Sequence, residues 1–331
     1  MEATMNYPAG NAWRRATERS WFLEYIDVCL RGSGQVIFMD NPLTGLLNFI
    51  AIFWGSIAAG MPQVGIGAVL GTCLATATAY AVGVDRDKLK MGLYGFNGVL
   101  VGAGIPTFLA PNAAMWAFLV IGSIVCTIVM LAMANVLAKW NCPAGTFPFC
   151  VTTWFVMLAA YAFPALVITG LPHSALAHAA SNVPAAFGPF QFLHATLTSV
   201  SQVWFINNPI AAIIFLFALV IEDRWCAALA FLGGAVAVAC AMIFGADSGA
   251  ISNGLWGFSA VLTAPAIGCI FMKPNGKGLI YALIAVVFTV VIQAALNVAC
   301  GPLGIPTFTT PFNWAMYIFV LAGRNFERKA I

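Results

Sequence analysis

The chain has 331 residues, of which 62% are hydrophobic and only 8% are charged, and its formal net charge is +3. Soluble domains carry about 25% charged residues, so this composition excludes a globular protein that covers its surface with charge. Apolar stretches long enough for membrane-spanning helices, which need about 20 residues, occur at 113–138, 147–169, 226–244 and 278–298. The sequence therefore predicts a membrane protein with several spans.

Both ends of the chain carry basic residues. Residues 1–20 contain arginines but no apolar core of the kind found in a signal peptide, and residues 324–331 form a second basic cluster. Cytoplasmic segments of membrane proteins are enriched in Lys and Arg. We therefore expect both segments to be cytoplasmic tails, which implies an even number of membrane crossings.

Between these tails the same order of elements is expected twice. In the first half we expect an amphipathic segment at 21–30, spans starting near Pro42 and at 63–82, a short Gly-rich segment, and long spans at 113–138 and 147–169. In the second half, spans starting near Pro209 and at 225–245 precede another short Gly-rich segment and two further spans. Residues 171–190, rich in Pro, Ala, Ser and His, are expected to connect a first repeat at 21–170 to a second repeat at 191–323.

Phrases that are written twice, in the same order, indicate an internal duplication. GQVIFMDNPL at 34–43 matches SQVWFINNPI at 201–210, GLYGFNGVLVG at 92–102 matches GLWGFSAVLTA at 254–264, and TFPF at 146–149 matches TTPF at 309–312. One such match alone carries little information. Because the matches stay in register along the chain, they indicate two related halves.

The Gly-rich phrases are too short to cross a membrane. They leave about 12–14 residues of helix before Pro106 and Pro265, whereas a span needs about 20. Short segments interrupted by Gly and Pro at matching places in two repeats indicate a binding site made of broken helices, although Gly-x-x-x-Gly spacing also serves plain helix packing. We therefore expect an all-α polytopic membrane protein with two inverted-topology repeats of about five membrane helices each, with short re-entrant helices, around a central pore.

The duplicated phrases supply paired candidates for lining this pore: Gln35 and Gln202, Thr146 and Thr309, Phe38 and Phe205, and Phe96 and Phe258. None is charged, whereas ion channels and coupled transporters normally place ionisable residues or dense carbonyl cages along their route. Facing rings form a slot for a flat molecule, and amide and hydroxyl groups replace part of its hydration. The lining predicts a small, neutral, planar solute such as an amide, and it does not separate urea from formamide or acetamide.

Other classes of function fit the residues less well. An ammonia pore of the histidine-pair kind is disfavoured because we place His173, His178 and His194 outside the spans. An intramembrane amidase needs a nucleophile beside a base, and no span offers Ser or Cys with a nearby His or Lys, so we expect no enzyme. For an ion-coupled symporter only Asp40 and Asp247 are candidates. The cysteines form no C-x-x-C pair and are expected to be small apolar fillers, so no metal or cofactor is expected.

Together these motifs resemble those of the urea transporter family, over roughly residues 21–324 and in the length typical of bacterial members. The resemblance implies a homotrimer in the cell (inner) membrane, among lipids, with no nucleic-acid partner. Each protomer would pass urea down its gradient, with a channel for short-chain amides or ammonia as the alternative.

The resemblance also implies roles for individual residues. Gln35 and Gln202 would bind urea at two sites, and Phe38, Phe96, Phe205 and Phe258 would form the slots. Apolar lining would come from Leu100, Val203 and Leu262, and the middle constriction from Thr146 and Thr309. Departures between the halves, such as Asn97 against Ser259, argue against strict symmetry of the two sites.

Overall fold

The computed structural model describes residues 10–180, 187–272 and 274–327. Residues 1–9 and 328–331 of the expected tails, and 181–186 of the expected connector, lie outside them. Within the described residues the chain is helical, and the only strand-like pairing there is an isolated bridge between Leu109 and Ile168. The prediction of an all-α polytopic membrane protein is confirmed.

Helices of the first half are α1 (Gly10–Arg19), α2 (Trp21–Gly34), α3 (Pro42–Ala58), α4 (Pro62–Val82), α5 (Arg86–Lys90), α6 (Phe96–Phe108), α7 (Ala113–Ala138) and α8 (Phe147–Ala162). Those of the second half are α9 (Pro189–Ser201), α10 (Pro209–Glu222), α11 (Arg224–Ile243), α12 (Ser248–Ser252), α13 (Phe258–Pro265), α14 (Gly276–Cys300) and α15 (Thr310–Glu327). The seven helices from α9 to α15 thus repeat the order of long and short helices that α2 to α8 show.

Each series opens with a sharply bent pair of helices. A 3₁₀ turn ends the first arm, and the second arm leaves at 75° in the first half and 72° in the second. Asn41 and Asn208 cap the second arms by accepting backbone N–H groups, and a proline occupies the first helical position after each. Both features are typical of helix starts, so the repeated Asn-Pro pair explains where the second arms begin.

By length and composition, the described part of the chain holds four helices able to cross a membrane, and up to six spans if each bent pair counts as one. The four are α4, α7, α11 and α14 with its following turn. The expected span at 147–169 is shorter than predicted, because α8 ends at Ala162. Pro164 explains this end, since the residue before a proline is driven out of the helical region, and Phe163 is extended.

The short Gly-rich segment of the first half forms α6, which at about 1.5 Å per residue is far shorter than a bilayer core. Its glycines lie against those of α4: a Cβ on Gly67 would come within 2.2 Å of the Gly102 carbonyl oxygen, and one on Gly71 within 2.2 Å of that of Gly98. The Gly-x-x-x-Gly spacing therefore does serve close helix packing. This contact holds α6 inside the protein, where its residues from Phe96 to Pro106 are buried.

The two halves are joined along α3 and α10. The Thr44 hydroxyl donates to the Ala218 carbonyl oxygen at 2.9 Å, and the Asp40 backbone N–H donates to Glu222 Oε1 at 2.9 Å. A continuous apolar core also contains side chains of both halves, including Phe149 and Phe312. Residues of the two halves therefore pack together in one core.

Candidate functional site

Two phenylalanines occupy the bends of the helix pairs. Phe38 has φ 68° and Phe205 has φ 63°, in the left-handed region that bulky residues rarely adopt. Such a conformation costs on the order of 1–3 kcal/mol and is characteristic of functional sites. Each is held by the same turn, in which its N–H donates to the carbonyl oxygen of Gln35 or Gln202, at 3.2 and 3.0 Å.

The Phe205 ring lies in a cluster of aromatic rings that the sequence did not predict. It meets Phe108, Phe149 and Phe308 edge to face, with centroids 5.9–6.0 Å apart. Phe308 also has a positive φ of 50°. In the TFPF and TTPF phrases Phe149 was visible as a repeated residue, whereas Phe308 stands where the first half has Gly145.

The Phe38 ring has fewer ring partners. It meets Phe271 at 5.8 Å and Phe312 at 6.2 Å. Within the described residues, the expected slot partners Phe96 and Phe258 make no ring contact with Phe38 or Phe205. The slots expected from these rings therefore stay a prediction.

Gln35 and Gln202 are anchored in the same way in the two halves. Gln35 Nε2 donates to the Met91 carbonyl oxygen at 2.9 Å, and Gln202 Nε2 donates to that of Asn253 at 2.8 Å. Both acceptors immediately precede the first glycine of the repeated Gly-rich phrase. Among the described residues neither Gln Oε1 atom receives a hydrogen bond, so each side chain keeps one acceptor for a solute N–H group.

The repeated threonines meet each other. Thr146 Oγ1 and Thr309 Oγ1 lie 2.6 Å apart, and each residue is 3% exposed. Asn313 braces the pair: its Nδ2 donates to Thr146 Oγ1 and to the Thr309 carbonyl oxygen, and its Oδ1 accepts the Thr146 backbone N–H. Sequence reasoning missed Asn313 because Cys150 stands at its place in the first half.

A cavity of about 450 Å³ reaches Thr309 of this pair and is lined mainly by residues of the second half. Five expected site residues line it: Gln202, Val203, Phe205, Phe258 and Thr309. The other expected residues do not line this cavity: Gln35, Phe38, Phe96, Leu100, Thr146 and Leu262. Leu100 and Leu262 are fully buried in the apolar core.

The candidates for ion coupling have structural partners. Asp40 accepts a hydrogen bond from Arg31 Nη1 at 2.7 Å, and Arg31 Nε also donates to Asp27 at 2.7 Å. Asp247 caps α12 by accepting the Ala250 N–H at 2.7 Å. Neither aspartate lines the cavity.

One of the histidines expected outside the spans lies in a bent helix pair. This histidine, His194, lies in α9, the first arm of the second bent pair. It does not line the cavity. In the described ranges no cluster of three or more His, Cys, Asp and Glu side chains could hold a metal ion.

Comparison with known proteins agrees with this architecture. Residues 26–324 match the family model described as urea transporter. The chain is 28% identical over 310 residues to urea transporter 1 of Ovis aries, of Capra hircus and of Mus musculus. These alignments cover 90% of this chain and 77% of each relative. Since the family model covers most of its length, the chain belongs to the urea transporter family.

Proposed function

We propose that this protein is a channel through which urea crosses the membrane passively, along a pathway to which both halves contribute. The observation that carries the proposal is the contact between Thr146 and Thr309. It joins the two halves at a buried point beside the cavity, which Thr309 lines, and each half supplies a Gln and a Phe with matching local geometry. The names of the mammalian relatives support urea as the solute.

The proposed pore residues are those of the repeated phrases: Gln35, Phe38, Phe96, Leu100, Thr146, Gln202, Val203, Phe205, Phe258, Leu262 and Thr309. Losing the hydration of one amide group without compensation costs roughly 1–7 kcal/mol, depending on the reference state. The unpartnered glutamine oxygens and the threonine hydroxyls reduce this cost for a solute with N–H groups and a carbonyl oxygen. An ion loses far more hydration energy than an amide, and a few isolated uncharged groups do not replace it.

The arrangement of the chain in the membrane is part of this proposal. We infer two repeats, 21–170 and 191–323, with the second inverted relative to the first around the pore. The matching 75° and 72° bends support this inference. The end of α8 at Ala162 and the start of α9 at Pro189 agree with a connector near 171–190. We further propose that the protein is a homotrimer in the cell (inner) membrane, with both termini cytoplasmic.

Solute flux into proteoliposomes, followed by stopped-flow light scattering, tests the choice of substrate. Urea, formamide, acetamide and ammonia are compared in the same preparation, against liposomes without protein. We expect urea to pass much faster than through protein-free liposomes and faster than acetamide. Urea flux equal to that of empty liposomes, together with rapid flux of another solute, would overturn urea as the substrate while leaving the fold intact.

A further inference from the structure

The cavity of the second half contains polar residues that the first half lacks. Helices α7 and α14 each begin one residue after an asparagine cap, Asn112 and Asn275, and they share the offset of 163 residues that relates Thr146 to Thr309. At this offset three polar residues of the second half replace apolar residues of the first: Gln293 replaces Met130, Asn297 replaces Ala134, and Thr307 replaces Ala144.

These polar residues form one hydrogen-bonded cluster. Gln293, only 3% exposed, donates from Nε2 to Asn297 Oδ1 at 2.8 Å and to Thr307 Oγ1 at 2.8 Å. Both hydrogens of its amide are thereby used, and Ser259 Oγ lies 3.5 Å from its Oε1. The Gln293 side chain is therefore fixed, and it fixes the side chains of its two acceptors.

The two acceptors keep their own donors for another group. Thr307 accepts from Gln293 and is 4% exposed, yet among the described residues its hydroxyl hydrogen has no acceptor. Asn297 accepts through Oδ1, and within the same described part of the chain its Nδ2 group donates to nothing. Thr307 is buried, and a buried donor without a partner is costly, whereas Asn297 is exposed. Both residues line the cavity. The cluster is thus a pair of held donors facing a space that a solute can enter.

The cavity has room and complementary chemistry for a small amide. A water molecule occupies about 30 Å³ of liquid, so a cavity of about 450 Å³ holds urea together with part of its hydration. The free Oε1 of Gln202, on the same lining, accepts an N–H group. Donors at Asn297 and Thr307 suit a carbonyl oxygen, which accepts two hydrogen bonds.

We propose that Asn297 and Thr307, held in place by Gln293, form a vestibular subsite that binds the carbonyl oxygen of urea before it reaches the Phe205 ring cluster. Gln293 is the positioning residue of this subsite. The proposal rests on the proposed urea pathway and adds an asymmetry to it, because the first half has Met130, Ala134 and Ala144 at these places. Solute then binds more strongly on the side of the second half.

The test converts the second half to the residues of the first. Urea flux against urea concentration is measured in proteoliposomes for the wild type, for the double variant Asn297→Ala/Thr307→Ala and for Gln293→Met. Thiourea is run beside urea, because its sulfur is a weaker acceptor than a carbonyl oxygen. Thr289→Ala is the matched control: this threonine is also buried and hydrogen-bonded, but it does not line the cavity.

We expect the double variant to raise the half-saturating urea concentration about three- to tenfold, the usual effect of losing roughly one net hydrogen bond. The flux ratio of urea to thiourea should fall, and Gln293→Met should shift both values in the same direction. Thr289→Ala should leave the ratio at the wild-type value. An equal loss of urea and thiourea flux, or unchanged values in the double variant, overturns the subsite. A wild type that does not conduct urea overturns the proposed function instead.

Discussion

The hydroxyl oxygens of Thr146 and Thr309 lie 2.6 Å apart although 163 residues separate them in the chain. Asn313 donates to the first and to the carbonyl oxygen of the second. The two T-x-P-F phrases therefore meet at one buried point. Equivalent residues of the two halves therefore face each other at this contact, which lies on the proposed pathway.

Replacing the threonines one at a time and together tests this contact. Thr146→Val or Thr309→Val alone leaves the other buried hydroxyl without its threonine partner, although Asn313 still donates to Thr146 in the second variant. We expect each change to destabilise by about 1–3 kcal/mol. The double variant removes both partners, so its loss of stability should be smaller than the sum of the single losses. Thermal unfolding in detergent measures this coupling.

The same variants test the role of the threonines in permeation. We expect urea flux to fall in both single variants and in the double variant, because a polar group is lost from the narrowest point of the proposed pathway. Cys150→Ala is a control at a neighbouring buried residue that is not proposed to line the pore; its sulfur lies 3.4 Å from Thr309 Oγ1 and 3.9 Å from Asn313 Nδ2. If all threonine variants keep the wild-type flux, the proposed role at the constriction is wrong.

Two substitutions at Phe205 distinguish the effect of its backbone conformation on stability from the effect of its ring on selectivity. Both Phe205→Ala and Phe205→Gly remove the ring from its aromatic cluster, so both should lose discrimination between urea and larger amides to the same degree. Only glycine adopts the positive φ of 63° freely. Since the left-handed region costs other residues about 1–2 kcal/mol, Phe205→Gly should be about 1 kcal/mol more stable than Phe205→Ala.

Unfolding midpoints and acetamide flux of these two variants provide the measurement. The same pair of substitutions at Phe38, with φ 68°, serves as the matched comparison in the first half. Equal stability of the Gly and Ala variants at both positions would show that the bends are not strained. Unchanged acetamide exclusion would remove Phe205 from the pathway.

The glutamines are expected to act through their free Oε1 atoms. Gln35→Met and Gln202→Met keep the length of the side chain but lose the amide, both its free Oε1 acceptor and its anchoring Nε2 donor. Each should therefore lower urea flux several-fold. Asn253→Ala is a control for the second half, because the carbonyl oxygen that anchors Gln202 belongs to the backbone and survives the change. Stopped-flow urea flux checks this, and full flux in both Met variants would contradict a role in binding.

Stability of the first half should depend on Arg31. Its side chain is 0% exposed and forms ion pairs with Asp27 and Asp40, each at 2.7 Å. Removing one partner of a buried ion pair costs about 3–5 kcal/mol, so Arg31→Met should lower the unfolding midpoint strongly. Arg14→Met removes an exposed pair with Glu18, and a surface pair of this kind contributes at most about 1 kcal/mol. Similar midpoints for the two variants would refute this expectation.

Sequence patterns were sufficient for the order of elements. The repeated Asn-Pro pairs marked the second arms of the bent helices, and the long apolar stretch at 113–138 corresponds to α7 as the structure has it. Pro164 would have corrected the length of α8, since a helix seldom continues to the residue before a proline. Local chemistry of this kind is readable because it depends only on neighbours in the chain.

Contacts between residues far apart in the chain were harder to predict from the sequence. Phe108 lies outside the repeated phrases, and Phe308 replaces a glycine, so duplication did not single out either as a neighbour of Phe205. Gln293 and Asn297 lie within an apolar stretch whose composition indicated a plain span. Their position on the cavity follows from the packing of α14 against α13. The hydrophobic pattern of α14 alone does not predict this packing.

The most direct test of the proposed channel is the uptake of labelled urea into proteoliposomes, followed to equilibrium with and without a proton or sodium gradient. We expect uptake much faster than in protein-free liposomes, at a rate that neither gradient changes, ending when the internal urea concentration equals the external one. Accumulation above the external concentration would show ion coupling. Uptake no faster than in protein-free liposomes would contradict a urea channel altogether.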